Sequence, residues 1–133
     1  MAVRGHGQIM NVASVAGVMP GPGMSTYFAS KAFVLSLSEA LHEELFPKGV
    51  QVMALCPGPV NTRFWEVAEN GAMRAQSLFL TPEEVCRIAL VSLARERAAC
   101  APGLLSKICY GFGRVTPYIV SRKMAAALTG KRG

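Results

Sequence analysis

Residues 50–56 form an almost wholly apolar run, VQVMALC, which ends abruptly at Pro57-Gly58-Pro59. A run that is apolar on both sides is typical of a strand covered on both faces, as in a parallel sheet packed between helices. Residues 8–12 form a second short run of this kind. Between the two runs, residues 27–46 repeat apolar side chains at three- and four-residue steps, which predicts a helix. The order strand, helix, strand therefore predicts a parallel α/β fold with a right-handed crossover.

The remaining elements are predicted from their start and stop signals. Thr81-Pro82-Glu83-Glu84 combines a cap, a first-turn proline and two acids, which predicts a helix running to about Leu93 or Ala94. We expect a short strand at 98–101 and helices near 103–113 and 117–128. Residues 17–23, with two prolines, are predicted to be a loop, and Ser25 or Thr26 is predicted to cap the helix that follows. Three strands make a thin sheet for this topology, so we expect part of a doubly wound, parallel α/β domain.

The composition is that of a globular chain, with 51% hydrophobic residues among 133, and we expect one domain or part of one in the cytoplasm. The four cysteines form no C-x-x-C pair, which predicts buried thiols and no metal site. We expect His42-Glu43-Glu44 to lie on a solvated helix face. The chain contains no Asp, which excludes a Ser-His-Asp triad but leaves a Ser-His-Glu variant open.

The positive charge is concentrated at one end. Residues 1–102 hold eight Lys or Arg and eight Glu, so the whole net charge of +6 comes from the acid-free stretch 103–133. Its cations are Lys107, Arg114, Arg122, Lys123, Lys131 and Arg132. We expect a basic helical extension with no nucleic-acid partner, and a weak contact with a membrane surface is one interpretation of it. A solvated terminal helix is the alternative.

Tyr27 and Lys31 are four residues apart in the predicted helix, so their side chains share one face. An ammonium near a phenol favours the ionised form, which suits the phenol to proton transfer near neutral pH. Ser14 follows the first strand, at the sheet edge where ligands bind in open α/β folds. The spacing alone proves little, because two further tyrosines precede an arginine by four residues: Tyr110 with Arg114, and Tyr118 with Arg122.

Three motifs in order give the Tyr27–Lys31 pair a context: NVAS at 11–14, YFASK at 27–31 and PGPVNT at 57–62. Together they resemble the short-chain dehydrogenase/reductase family, and most of all its bacterial branch of general NADP-linked reductases. The resemblance covers residues 8 to about 95. It implies an NAD(P)-dependent oxidoreductase that reduces carbonyls or oxidises alcohols.

The resemblance also implies roles for individual residues. Tyr27 would be the general acid or base, Ser14 would hold the substrate oxygen, and Lys31 would favour the phenolate of Tyr27 and bind the nicotinamide ribose. The cofactor-binding residues implied are Tyr27, Lys31, Pro57, Gly58, Val60 and Thr62. Ser14, Phe64 and Trp65 would contact the substrate, although simple packing explains Trp65 equally well. The implied cofactor is NADP, with NAD as the alternative.

The family's glycine-rich turn, which seats the pyrophosphate, is missing from these residues, as is its catalytic asparagine. We therefore expect residues 1–102 to be the C-terminal half of a Rossmann-fold reductase domain, with Met1 an internal methionine, and 103–133 to be an extension. The substrate, the reaction direction and the activity of this chain by itself stay open. A non-catalytic oligomerisation module is the alternative function, because residues 27–46 carry apolar side chains on more than one side. We expect a homo-oligomer formed through this helix.

Overall fold

A computed structural model describes residues 1–60, 79–117 and 119–123 of the chain. Its three strands are β1 (Gly7–Val12), β2 (Val50–Leu55) and β3 (Ala99–Cys100). The longer helices are α1 (Ser25–Leu45), α2 (Pro82–Ala94) and α3 (Leu104–Val115). Short 3-10 helices occupy Ala2–Arg4, Val15–Val18 and Phe46–Lys48. Residues 119–123 are helical.

The sheet is parallel, with β2 in the centre of the order β1-β2-β3. β1 pairs with β2 from Gly7 opposite Val50 to Val12 opposite Leu55, and Ala54 of β2 lies opposite Ala99 of β3. All six residues of β2 are buried, as expected for a strand covered on both faces. The predicted α/β fold class is confirmed, because helices pack on both faces of a parallel sheet.

The two faces of the sheet bury two apolar clusters. Met53 and Leu55 of β2 pack against Val85, Ala89 and Leu93 of α2. On the other face, Ala54 and Cys56 pack with Ala13 and with Leu35 of α1, and Tyr110 of α3 lies against this second cluster. Because successive strand side chains point to opposite faces, one short strand supports both layers.

The start of α2 follows the predicted capping pattern. The Thr81 hydroxyl accepts a hydrogen bond from the Glu84 amide at 3.3 Å, and the Glu84 carboxylate accepts one from the Thr81 amide at 2.9 Å. The predicted helix α1 is present, but its predicted cap was wrong, because the cap position is Met24, without a side-chain cap, and Ser25 is the first helical residue. The predicted loop at 17–23 also begins inside the 3-10 helix Val15–Val18.

His42 does not lie on a solvated face, which corrects the prediction from its polar neighbours. Its side chain is buried at 9% exposure, and Nδ1 lies 2.8 Å from the Val52 carbonyl oxygen. Since a carbonyl can only accept, Nδ1 carries the proton. Cys86 is exposed, whereas Cys56 and Cys100 are buried as expected. Within the described ranges, no helix is long and apolar enough to cross a membrane.

Candidate active site

Ser14 lies just beyond the C-terminal end of β1. The Ala13 amide still donates to the Leu55 carbonyl at 2.8 Å, and Ser14 then turns into the 3-10 helix that begins at Val15. Its hydroxyl oxygen accepts from the Ala16 amide at 3.1 Å and donates to the Pro57 carbonyl at 3.4 Å. Ser14 is only 8% exposed, so the fold fixes this hydroxyl at the sheet edge.

Lys31 connects α1 to the same edge of the sheet. Its ammonium donates to the Val12 carbonyl oxygen at 3.0 Å, and Val12 is the last residue of β1. Tyr27 lies one turn earlier in α1, with its ring centroid 5.8 Å from the Lys31 nitrogen. Both side chains are half-buried. The fold therefore holds the Tyr27–Lys31 face of α1 over the strand end that leads to Ser14.

A close backbone approach explains one of the glycines between Ser14 and Tyr27. A Cβ atom on Gly17 would lie 2.8 Å from the Lys31 carbonyl oxygen and 3.0 Å from its carbon. Such a contact is too short for a real side chain, so only glycine lets α1 come this close to the 3-10 helix.

The peptide bond between Pro57 and Gly58 is held from both sides. Its carbonyl oxygen accepts from the Val15 amide at 3.1 Å and from the Ser14 hydroxyl at 3.4 Å. Its amide donates to the hydroxyl of Ser106, in the first turn of α3, at 2.9 Å. Ser106 is 7% exposed. The sequence interpretation missed Ser106, because this bond joins residues 48 positions apart and no local motif marks it.

An apolar cleft of about 330 Å³ lies beside this turn. Pro57, Gly58, Pro59 and Val60 form part of its wall, and the first turns of α3 form another part. The remaining lining residues are Leu80, Val85, Pro102, Gly103, Leu104, Leu105, Ser106 and Ile108. Nearly all of these side chains are apolar, so the cleft suits a nonpolar group.

The other predicted site residues are placed only in part. Val60 forms an isolated parallel bridge with Leu80. Thr62, Phe64 and Trp65 lie outside the described residues. No group of three or more potential metal ligands occurs in the part of the chain that the structure describes.

Tyr110 and Arg114, which share the Tyr27–Lys31 spacing, have a different function. The Tyr110 hydroxyl donates to Glu39 of α1 at 2.9 Å, and Arg114 forms an ion pair with the same carboxylate at 3.0 Å. Burial, together with the hydrogen bond to Glu39, raises the pKa of Tyr110 to about 12. The pair joins α3 to α1, and its phenol is held in the protonated form.

Burial also raises the pKa of the Cys56 thiol, from 9.0 to about 12. Cys56 follows β2 directly and packs with Ala13, Leu35 and Ala54. A thiol that stays protonated is a weak nucleophile, so Cys56 serves in packing.

Comparison with known proteins gives these motifs a context. The family model of short chain dehydrogenases matches residues 1–72. The 3-oxoacyl-[acyl-carrier-protein] reductase of Thermotoga maritima is 34% identical over 104 residues, which cover 74% of this chain and 42% of that protein. The chain spans about a quarter to a half of the length of the curated relatives it matches.

Solved structures agree with the fold. A 7beta-hydroxysteroid dehydrogenase superposes with a TM-score of 0.78 at 25% identity, over 94% of this chain and 49% of that one. A short-chain dehydrogenase from Sphingobium yanoikuyae, solved in complex with NADPH, gives a TM-score of 0.67 at 35% identity. That match covers 83% of this chain and 42% of the Sphingobium protein.

Proposed function

Because this chain belongs to the short-chain dehydrogenase family, we propose that it carries the proton-transfer part of an NAD(P)-dependent oxidoreductase. The reaction is reduction of a carbonyl or oxidation of an alcohol. The observation that carries the proposal is the hydrogen bond from Lys31 to the Val12 carbonyl. It ties the Tyr27–Lys31 face of α1 to the strand end that leads to Ser14, so three groups with suitable chemistry share one edge of the sheet.

Each group has one task in carbonyl reduction. The phenol of Tyr27 gives its proton to the substrate oxygen as negative charge develops there, and it takes the proton back in alcohol oxidation. Ser14 donates a hydrogen bond to the same oxygen. The 3.4 Å bond from Ser14 to Pro57 is long, so this hydroxyl can redirect its proton to a substrate at little cost.

The residues present fit a nicotinamide cofactor. An ammonium has three N–H donors, and Lys31 donates one of them to the Val12 carbonyl oxygen. The other N–H groups can bind ribose hydroxyls. When bound, the nicotinamide supplies or accepts the hydride. Pro57, Gly58 and Val60 would border its ring, and Thr62 would bind its phosphates. NADP is the proposed form, supported by the NADPH complex of the Sphingobium relative, with NAD as the alternative.

The proposed substrate is a carbonyl or alcohol with an apolar substituent. The apolar cleft beside the Pro57–Gly58 turn supports this, because a polar substituent would lose its hydration there without gaining partners. Phe64 and Trp65 stay predicted substrate contacts. The division into residues 1–102 and 103–133 and the cytoplasmic location also stay predictions from the sequence.

Exposed side chains on α1 support the proposed homo-oligomer. Phe33 is 66% exposed and Leu37, one turn later, is 42% exposed. Burying this pair between two copies would remove apolar surface from water. In sedimentation velocity, the Phe33→Gln variant should shift the chain towards the monomer. The other predicted partner is a membrane surface, and that prediction concerns residues 103–133, which include α3, rather than α1.

Lys31→Met tests the proposed function. Lys48→Met is the matched control, because Lys48 lies just before the N-terminal end of β2, away from the strand end that Lys31 contacts. Both variants are made in a fusion of this chain to the N-terminal portion of a related reductase and are assayed with NADPH and a panel of ketones. Lys31→Met should weaken NADPH binding and lower turnover by about 10²-fold or more, because it removes both the ribose donor and the neighbouring cation. Unchanged binding and turnover in Lys31→Met would refute the assignment.

A further inference from the structure

Helix α3 directs its large apolar side chains away from its own domain. Leu104, Ile108, Phe112 and Val115 follow one another at steps of four, four and three residues, so they share one side of the helix. They are 76%, 58%, 45% and 81% exposed, respectively. We call these four residues the outer face. A helix stabilised only by its own domain would bury such residues instead.

The opposite side of α3, which packs on the protein, is small or polar. Ser106 is buried, while Cys109, Tyr110 and Gly113 are half-buried. Ser106 binds the Gly58 amide and Tyr110 binds Glu39, so hydrogen bonds hold this side in place. The orientation of α3 is therefore fixed by specific contacts, and the outer face is exposed as a consequence.

The same pattern continues beyond α3. Ile119 and Val120 are 61% and 44% exposed, whereas Ser121 is 7% exposed. Ile119 lies four residues after Val115 of the outer face. Exposed apolar side chains therefore recur after Pro117, in the helical residues 119–123.

Positive charge borders this apolar surface. In the sequence, residues 103–123 contain Lys107, Arg114, Arg122 and Lys123 and no acid, and the nearest preceding acid is Glu96. Arg114 pairs with Glu39. Lys107, Arg122 and Lys123 are exposed and retain the positive charge of the segment.

We infer that the outer face docks on an anionic lipid surface. Apolar side chains on one side of a helix enter the boundary between headgroups and acyl chains, and flanking lysines and arginines bind lipid phosphates. A second copy of the chain fits this face less well. Pairing two outer faces would bring the cations of both copies together, and the segment offers no acid to neutralise them.

Docking would also place the apolar cleft at the lipid surface. Leu104 and Ile108 belong both to the outer face and to the lining of the cleft. A lipid-dissolved carbonyl compound could then enter the cleft directly from the bilayer. This consequence for the substrate rests on the proposed function, whereas the docking itself does not.

Vesicle co-sedimentation of the full chain tests the docking without nucleotide or substrate, so its result is independent of the oxidoreductase proposal. Vesicles of phosphatidylcholine mixed with phosphatidylserine are compared with vesicles of phosphatidylcholine alone, at low and at high salt. We expect binding to the anionic vesicles that weakens by about tenfold at high salt, because salt screens the lysine and arginine contacts.

Two variants with matched controls locate the contact. Ile108→Gln should lower the partition coefficient by about tenfold, whereas Leu90→Gln on α2, with a similar exposure of 60%, should leave it unchanged. Lys107→Gln should lower it by about fivefold, and Lys48→Gln should not. Circular dichroism checks that each variant is folded.

The inference is overturned by any of three results. The first is no binding to anionic vesicles. The second is equal binding by Ile108→Gln and the unmodified chain. The third is a dimer in sedimentation equilibrium that Ile108→Gln dissociates while vesicles bind neither protein, since a second copy would then cover the outer face.

Discussion

Replacing Ser106 by Ala tests whether α3 holds the Pro57–Gly58 turn. The Ser106 hydroxyl oxygen accepts a hydrogen bond from the Gly58 amide at 2.9 Å, and it lies in a buried position. Removing it leaves that amide without this acceptor, which costs about 1–3 kcal/mol for a buried donor. Gly58 itself is only half-buried, so water can partly replace the hydroxyl, and we expect about 1–2 kcal/mol. For a chain of this length, that corresponds to a decrease in Tm of roughly 3–10 °C.

Two measurements follow the Ser106→Ala change. Thermal denaturation gives the loss of stability, and amide hydrogen exchange at Gly58 reports the bond directly. Exchange at Gly58 should accelerate by about 5- to 30-fold, because the exchange rate rises exponentially with the lost free energy. Ser106→Thr, which retains a hydroxyl, should recover most of the protection, and Ser36→Ala, at an exposed position of α1, should leave Gly58 unchanged. Equal Gly58 exchange in Ser106→Ala and the unmodified chain would show that α3 does not hold this turn.

Two further predictions concern stability. Gly17→Ala should cost about 1–3 kcal/mol in urea denaturation because its Cβ would meet the backbone of α1, whereas Gly111→Ala, whose Cβ meets nothing within 4 Å, should be neutral or stabilising. The free energy of unfolding should also decrease from about pH 9 to pH 12. The folded state raises the pKa of both Cys56 and Tyr110, so it favours their neutral forms, and the resulting stability is complete below the unfolded pKa values and lost as pH rises through the folded ones. Urea midpoints across this range check the effect, and a smaller decrease in Tyr110→Phe would support it; an unchanged slope would contradict the role of Tyr110.

The sequence patterns correctly predicted the strands and helices whose stabilising interactions lie between residues that are close together in the sequence. The apolar run of β2 became a strand buried at all six positions, and the Thr81–Glu84 capping box starts α2 as expected. In each case the deciding interactions lie within a few residues of one another or in the burial of a single strand. Such features can be derived from a sequence because the necessary partners are neighbours in it.

The failures involve partners that lie far away in the sequence. His42 is followed by two glutamates, yet it is buried, and its ring contacts the Val52 carbonyl on β2. The Ser106 contact with Gly58 links the first turn of α3 to the turn that follows β2, and only the folded chain brings these two segments together. The outward direction of the apolar side of α3 was equally hidden, because periodicity shows that a helix has an apolar side but not which way that side faces.

The most direct test of the proton-transfer assignment compares Tyr27→Phe with Tyr110→Phe in a fusion of this chain to the N-terminal portion of a related reductase. Both tyrosines precede a cation by four residues, but only Tyr27 lies at the strand end that leads to Ser14. NADPH oxidation with ketone substrates should decrease by about 10²- to 10⁴-fold in Tyr27→Phe and stay near the unmodified rate in Tyr110→Phe. Retained turnover in Tyr27→Phe would contradict the assignment of the proton-transfer group.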